Sequence, residues 1–163
     1  MRTVALLLGS NVDPARHVPR ALADLQTLGT VRARSSAWRS APEGGAVGPD
    51  FWNLAVLLET ALDAGALKVA LRAIETRHGR VRPAPSLAPR TIDIDIVGEN
   101  GTVAAAEAGR WAHVAVPLAE VAPAWVDDRR GEPVGEIAVR LRADTRIVRL
   151  PDPLPSSRPR PGR

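Results

Sequence analysis

The hydrophobic patterning of this chain predicts an α+β fold. Strand-like apolar runs fall at residues 4–8, 30–38, 51–60 and 90–97. Stretches of helical spacing separate the first run from the second and the third from the fourth. The chain has 163 residues, 45% of them hydrophobic, which is enough to bury the core of one domain.

Each element has its own reason. Val4 to Leu8 is aliphatic and ends at "GSN", so it reads as a buried strand entering a turn. In "DPARHVPRALADLQTL", Asp13 can cap a helix that has Pro14 at its first position. Pro19 interrupts that pattern and predicts a late start or a kink. Ala21, Leu22, Leu25 and Leu28 recur at helical spacing, and Gly29 stops the run. "TVRARSSAW" alternates as a second strand, and "SAPEGGAVGPD" is a glycine- and proline-rich loop. "FWNLAVLLET" is a third strand. "DAGALKVALRAIETRHG" is a helix with Asp63 as its cap and Gly79 just past its end. "RVRPAPSLAP" is an extended loop, "RTIDIDIV" the fourth strand and "GENG" a turn.

The order strand, helix, strand, strand, helix, strand is the split βαβ, ferredoxin-like βαββαβ arrangement: an antiparallel sheet with helices packed on one face. Beyond Gly101, "VAVPLAEVAPAW" predicts a short helical segment closed by proline, and "VGEIAVRLRA" a further C-terminal helix. Residues 1–150 are expected to form one domain. Residues 151–163 hold five prolines and almost nothing apolar, so a disordered tail is expected there.

Composition narrows the function classes. Cysteine is absent, which excludes disulfides and thiolate metal sites. The N-terminal apolar run is too short to span a membrane and no small-residue cleavage site follows, so a cytoplasmic location is the default. The formal charge of +4 is carried by arginine, Lys68 being the only lysine. Aromatic residues make up 3%, too few for base-stacking platforms, which argues against nucleic acid. Arginine also suits a small phosphorylated ligand, whose oxygens its planar fork grips in pairs.

"RTIDIDI" carries the chemistry. Side chains alternate along a strand, so Thr91, Asp93 and Asp95 share one face and Ile92, Ile94 and Ile96 the other. The isoleucines are expected to face the core and the carboxylates to stand side by side, roughly 7 Å apart at their α-carbons. Adjacent carboxylates repel unless a cation sits between them, and oxygen ligands favour a hard cation such as magnesium. Aspartate is a poor strand former, which favours a site over the alternative of a solvated sheet face. Arg80, Arg82 and Arg90 lie close by on one segment. Carboxylates for metal beside arginines for phosphate suit phosphoryl transfer, where positioning and charge neutralisation do most of the catalysis. Taken singly, those arginines would read as a solvated basic loop. No Walker-type loop with its lysine is present, and His17, His78 and His113 lack metal-ligand spacing. Asn53 in an apolar strand must find polar partners, and a heterocycle with donor and acceptor edges is a candidate.

At these residues the chain resembles the hydroxymethyl-dihydropterin pyrophosphokinase family. "LLLGSN" at 6–11, "WRSAPEGGAVGPDFWNLAVLLET" at 38–60, "IETRHGRVR" at 74–82, "PRTIDIDIV" at 89–97 and "VPLAEVAP" at 116–123 match its segments in order. The resemblance implies transfer of pyrophosphate from ATP to a pterin hydroxymethyl group, with release of AMP. It implies two magnesium ions held by Asp93 and Asp95, one of which helps deprotonate the attacking hydroxyl. Arg80, Arg82 and Arg90 would grip phosphate. Asn53 would bond the pterin edge beside Phe51, with Ser40, Ala41 and Glu43 where the backbone meets the ring. Arg72, Glu75, Arg82, Arg90, Ile96 and Arg110 would lie on the nucleotide side, Glu75 near the ribose. The implied partners are the small-molecule pterin and ATP, with no nucleic acid, no membrane and a monomeric state.

Departures mark the same alignment. Leu87 stands where the family has a tryptophan, and Pro83 and Pro85 stiffen that loop. The family's ATP-contacting L-x-x-P-H segment has no counterpart in "GENGTVAAAEAGRWAHVAV". Arg110 or Trp111 falls near an arginine position, and His113 takes the place of a pterin-stacking phenylalanine, a role Trp111 could fill instead. The other reading is a paralogue that binds a pterin or nucleotide without this catalysis.

Overall fold

A computed structural model describes residues 1–43, 47–81, 89–144 and 146–152. Strand β1 (Arg2–Ser10) lies at the centre of the sheet, because both of its faces are apolar and both are covered. It pairs antiparallel with β4 (Phe51–Thr60) from Arg2↔Thr60 to Ser10↔Trp52, and on its other side with β5 (Asp93–Glu99). Strand β2 (Thr30–Arg34) and the short β3 (Trp38–Ser40) both pair with β4. The four core strands therefore run β5-β1-β4-β2, the expected ferredoxin-like order, each pair antiparallel.

Short strands extend the sheet at both ends. Strand β6 (Thr102–Val103) pairs with β5, then parallel with β7 (Val126–Asp127), which pairs with β8 (Glu132–Pro133). Strand β9 (Val148–Arg149) pairs with β3. The sheet is thus mixed, with a single parallel pair among the described strands.

Helix α1 (Pro14–Leu25) and helix α2 (Ala64–Arg77) cover one face. Val18, Ala21 and Leu25 of α1 and Leu67, Leu71 and Ile74 of α2 pack on Val4, Leu6 and Leu8 of β1 and on Ile92 and Ile94. Helix α3 (Ala112–Val121) covers the other, where Val114 and Leu118 meet Ala5, Leu7 and Val97. Helix α4 (Val134–Asp144) packs against α3 through Ile137 and Ala138. The C-terminal helical segments thus close the second face.

Local details correct the sequence reading in four places. Asp13 has φ 44 and makes no side-chain cap bond. A cap needs an extended backbone to aim its oxygen at the helix N–H groups. Its carbonyl instead accepts from the Arg16 and His17 N–H groups at 3.0 and 3.1 Å. The helix starts at Pro14 and carries Pro19 inside it. Residues 30–38 are not one strand. Buried Ser35 breaks them: its N–H donates to the Ala55 carbonyl at 2.9 Å, and its hydroxyl oxygen accepts from the Ala55 N–H at 2.8 Å. Ile96 does not join the core. It is 39% exposed, beside an irregularity in the β1–β5 pairing. Asp63 behaves as expected, accepting from the Ala66 N–H at 2.8 Å, and Gly79 has φ 87 just past the helix. Of the proposed tail, Pro151 and Asp152 are exposed and Asp152 pairs with Arg34; residues 153–163 lie outside the described residues.

Candidate active site

The carboxylates share the α3-side face of the sheet. Asp93 pairs with Gly9 and Asp95 with Leu7, while Ile94 between them points into the opposite core. Their surroundings differ sharply. Asp93 is largely buried and is gripped by two arginines: Arg80 donates to one oxygen and Arg90 to the other, the latter at 2.6 Å. Burial alone would raise its pKa, but the Arg80 hydrogen bond and the Arg90 charge outweigh it and hold the carboxyl below its ordinary value. Asp95 has no ion pair within 4 Å among the described residues. Desolvation, then the neighbouring Asp93 and Glu75 charges, push its pKa up to about 6.

The arginines are placed from behind. Buried Glu75, on the last turns of α2, accepts from Arg80 at 3.0 Å and from the Ile94 N–H at 2.9 Å. One carboxylate therefore ties α2 to β5 and aims Arg80 at Asp93. Asn11, buried in the turn after β1, donates its N–H to the Arg90 carbonyl at 3.0 Å. Its side-chain oxygen accepts the Arg90 N–H at 2.8 Å. That reciprocal pair fixes the backbone of the arginine.

A cavity of about 710 Å³ opens over this face. Arg90, Asp93, Asp95 and Ile96 line one part of it. Ser40, Ala41, Glu43, Phe51 and Asn53 line another, from β3, the loop after it and the start of β4. Asn53 is 3% exposed, and its amide nitrogen donates to the Trp38 carbonyl at 3.1 Å and to the Ser40 hydroxyl at 2.9 Å. These bonds fix the amide so that its oxygen is left as the acceptor. His113 and Trp111 line a third part, stacked with ring centroids 6.2 Å apart. Burial lowers the His113 pKa, and Glu43, 3.7 Å away, only partly offsets that.

Other expected residues lie elsewhere. Arg80 and Glu75 support the site from the α2 side and do not line the cavity, and Arg72 is exposed on α2. Arg110 is exposed with its guanidinium over the Trp111 ring at 4.7 Å. Arg82, Leu87, Pro83 and Pro85 lie outside the described residues. Sequence reasoning missed Asn11 and Arg129. A buried asparagine in a turn is a signal that could have found the first, whereas Arg129, a cavity residue from the β7–β8 connection, carries none.

The donor set suits a magnesium ion. Among the described residues no group of three or more His, Cys, Asp or Glu could hold a metal. Two carboxylates with substrate phosphates and water completing the shell is how magnesium usually binds. An ionised Asp95 with no ion pair among the described residues fits that role.

A ferredoxin-like sheet with helices on both faces, and a carboxylate–arginine cluster beside a polar cleft, is the layout of an enzyme that handles phosphate. The comparisons narrow the class. The family described as 7,8-dihydro-6-hydroxymethylpterin-pyrophosphokinase (HPPK) matches residues 5–123. A 2-amino-4-hydroxy-6-hydroxymethyldihydropteridine pyrophosphokinase of Synechocystis sp. is 33% identical over 137 residues, covering 78% of this chain and 70% of that protein. One from Pseudomonas aeruginosa is 38% identical over 100 residues, covering 60% and 61%. Among solved structures, an HPPK-DHPS in complex with substrates superposes with TM-score 0.69 at 11% identity, covering 88% of this chain and 46% of that one. The Plasmodium falciparum HPPK-DHPS with SDX-DHP gives 0.64 at 12% identity, covering 86% and 43%. This chain thus spans under half of those solved chains, and the likeness to them is one of fold.

The chain belongs to the 7,8-dihydro-6-hydroxymethylpterin-pyrophosphokinase family. It is an ATP-dependent pyrophosphokinase that acts on a pterin. No helix among the described residues is long and apolar enough to cross a membrane.

Proposed function

We propose that the cavity binds 6-hydroxymethyl-7,8-dihydropterin and ATP side by side, and that Asp95 and Asp93 with Arg90 and Arg80 carry the transfer. The observation that supports this most is the pair of carboxylates on one strand face, Asp93 held by Arg80 and Arg90 and Asp95 with no ion pair among the described residues. The pterin sits against Asn53, whose side-chain oxygen accepts from the ring edge, beside Phe51 and the backbone of Ser40 and Ala41. His113, kept neutral by burial, closes the pterin wall with Trp111 behind it.

The hydroxymethyl oxygen attacks the β-phosphorus of ATP. The new O–P bond forms as the bond from that phosphorus to the α-phosphate oxygen breaks, and AMP leaves with the electron pair. Asp95, a cavity-lining carboxylate with no ion pair among the described residues, takes the hydroxyl proton. Arg90 spans Asp93 and the transferring phosphates. Arg80 keeps Asp93 ionised and in place, and Arg82 belongs with them on the adjoining segment. Asp93 and Asp95 would hold two magnesium ions, which supply charge neutralisation for the phosphates. Residues 1–150 act as one domain and as a monomer in the cytoplasm.

Arg90→Ala tests the phosphate assignment. It should lower kcat by roughly 100-fold or more, the scale of losing one charge-stabilising donor. The pterin Kd, measured by fluorescence titration, should move little. Equal losses in turnover and pterin binding would count against the assignment.

A further inference from the structure

Arg129 belongs to the same cavity and no role is yet attached to it. It lies in the turn between β7 and β8, far in sequence from the carboxylates, yet it lines the cavity with Asp95, Ile96 and the segment Ala104–Glu107. The turn is built to hold it there. Asp127 is 1% exposed, and one of its oxygens accepts the N–H groups of both Arg129 and Arg130, at 2.9 and 3.0 Å. The Asp127 carbonyl takes the Gly131 N–H at 2.8 Å, and Gly131 has φ 67, a conformation that closes the turn at little cost for glycine. The Asp128 N–H donates to the Val103 carbonyl at 3.0 Å, which fastens the turn to β6.

The two neighbouring arginines are used differently. Arg130 lies across Gly109, so close that a Cβ there would collide with its guanidinium. Arg130 thereby packs the turn against the 3₁₀ segment Ala106–Gly109 that follows β6. Arg129 is exposed, lines the cavity and has no ion pair within 4 Å among the described residues. The cavity is also lined by Ala104, Ala105 and Ala106, whose side chains offer a charged ligand no bond, and by the Glu107 carboxylate. A guanidinium on an anchored turn, lining the same cavity as Asp95 and with no ion pair among the described residues, is placed to meet phosphate.

We propose that Arg129 grips the phosphate chain of the nucleotide donor and sets the affinity of this site for ATP over an uncharged nucleoside. This rests on the reading of the cavity as the ATP and pterin site. The test is calorimetric titration of the full chain with α,β-methylene-ATP and magnesium, and separately with adenosine, alongside steady-state kinetics. Arg129→Ala should weaken the analogue by about tenfold or more, the size of one lost charge-assisted contact. The KM for ATP should rise in parallel, with kcat within about threefold and the pterin KM unchanged. Arg129→Lys should recover part of the loss, and Arg20→Ala, on the far α1 surface, should change nothing. Binding of the analogue within twofold of wild type by Arg129→Ala would overturn the proposal. So would an equal loss for adenosine, which places the contact on the base, or absence of analogue binding by the wild type. If the wild type binds the analogue through Arg129 but releases no AMP with pterin, the transfer reading falls and the Arg129 assignment stands.

Discussion

Asp93 and Asp95 sit two residues apart on one strand and titrate in opposite directions, which makes them separable by pH. The folded-state pKa of Asp95 lies above its unfolded value, near 6 against 3.8. Its neutral form is therefore favoured by folding, and that contribution is complete below the unfolded value and lost as pH rises through about 6. Asp95→Asn should melt higher than wild type at pH 8 in the absence of divalent ions. The gap should close by pH 4, and a gap constant across that range would contradict the assigned shift. The same substitution should remove turnover, because both the proton acceptor and a metal ligand go. Asp93 has the opposite sign. Its pKa is depressed, so its ion pairs with Arg80 and Arg90 stabilise the fold above the ordinary carboxylate range and fail as pH falls through the folded value. For pterin recognition the informative residue is Asn53. Asn53→Leu leaves the Trp38 carbonyl and the Ser40 hydroxyl without their donor, at a cost of roughly 1–3 kcal/mol. It should raise the pterin KM while leaving the KM for ATP near wild type; a joint rise would point to collapse of the β3–β4 corner instead.

At the scale of elements, turns and caps position the site, and they differ in how well the sequence announces them. Asp63 and Gly79 bracket α2 as the pattern predicts, because capping and left-handed termination depend on near neighbours. Asp63→Ala should lower stability by about 1 kcal/mol in denaturant unfolding, with activity retained. Asp13 deceived the same reasoning, since a positive φ is set by how β1 hands over to α1 and not by residue type. The break at Ser35 was equally hidden: its hydroxyl replaces a strand partner for Ala55, a contact 20 residues away. Gly98 in β5 shows a tighter constraint. A Cβ there would lie 2.5 Å from the Thr102 carbonyl oxygen, so the hairpin to β6 needs glycine. Gly98→Ala should destabilise by roughly 1–3 kcal/mol, the usual range for overpacking, and a neutral melt would show that the hairpin shifts freely.

For the whole molecule, β1 and β4 carry apolar side chains on both faces, so two cores share one sheet and the site sits on the second. Leu8 faces the α1–α2 core and is fully buried. Leu8→Ala should cost roughly 2–5 kcal/mol without changing the order of the two pKa shifts. The order of the four core strands and the two helices on the first face were legible because period-2 and period-3.6 patterns are strong in residues 4–77. The carboxylate pair was legible because charge inside an isoleucine strand is costly without a purpose. Glu75 was read as a residue near the ribose, yet the fold buries it beneath Arg80 and Ile94. Nothing in its helix distinguishes it from a solvated residue, since the Ile94 N–H that it accepts arrives from β5. Arg129 was invisible for the same reason: the β6–β7 pairing brings its turn to the cavity from a distant part of the chain. The measurement closest to the central claim is AMP release from ATP and magnesium, with and without 6-hydroxymethyl-7,8-dihydropterin, for wild type and Asp95→Asn. The account predicts pterin-dependent AMP from wild type alone. Equal AMP with and without pterin, or undiminished AMP from Asp95→Asn, would contradict it.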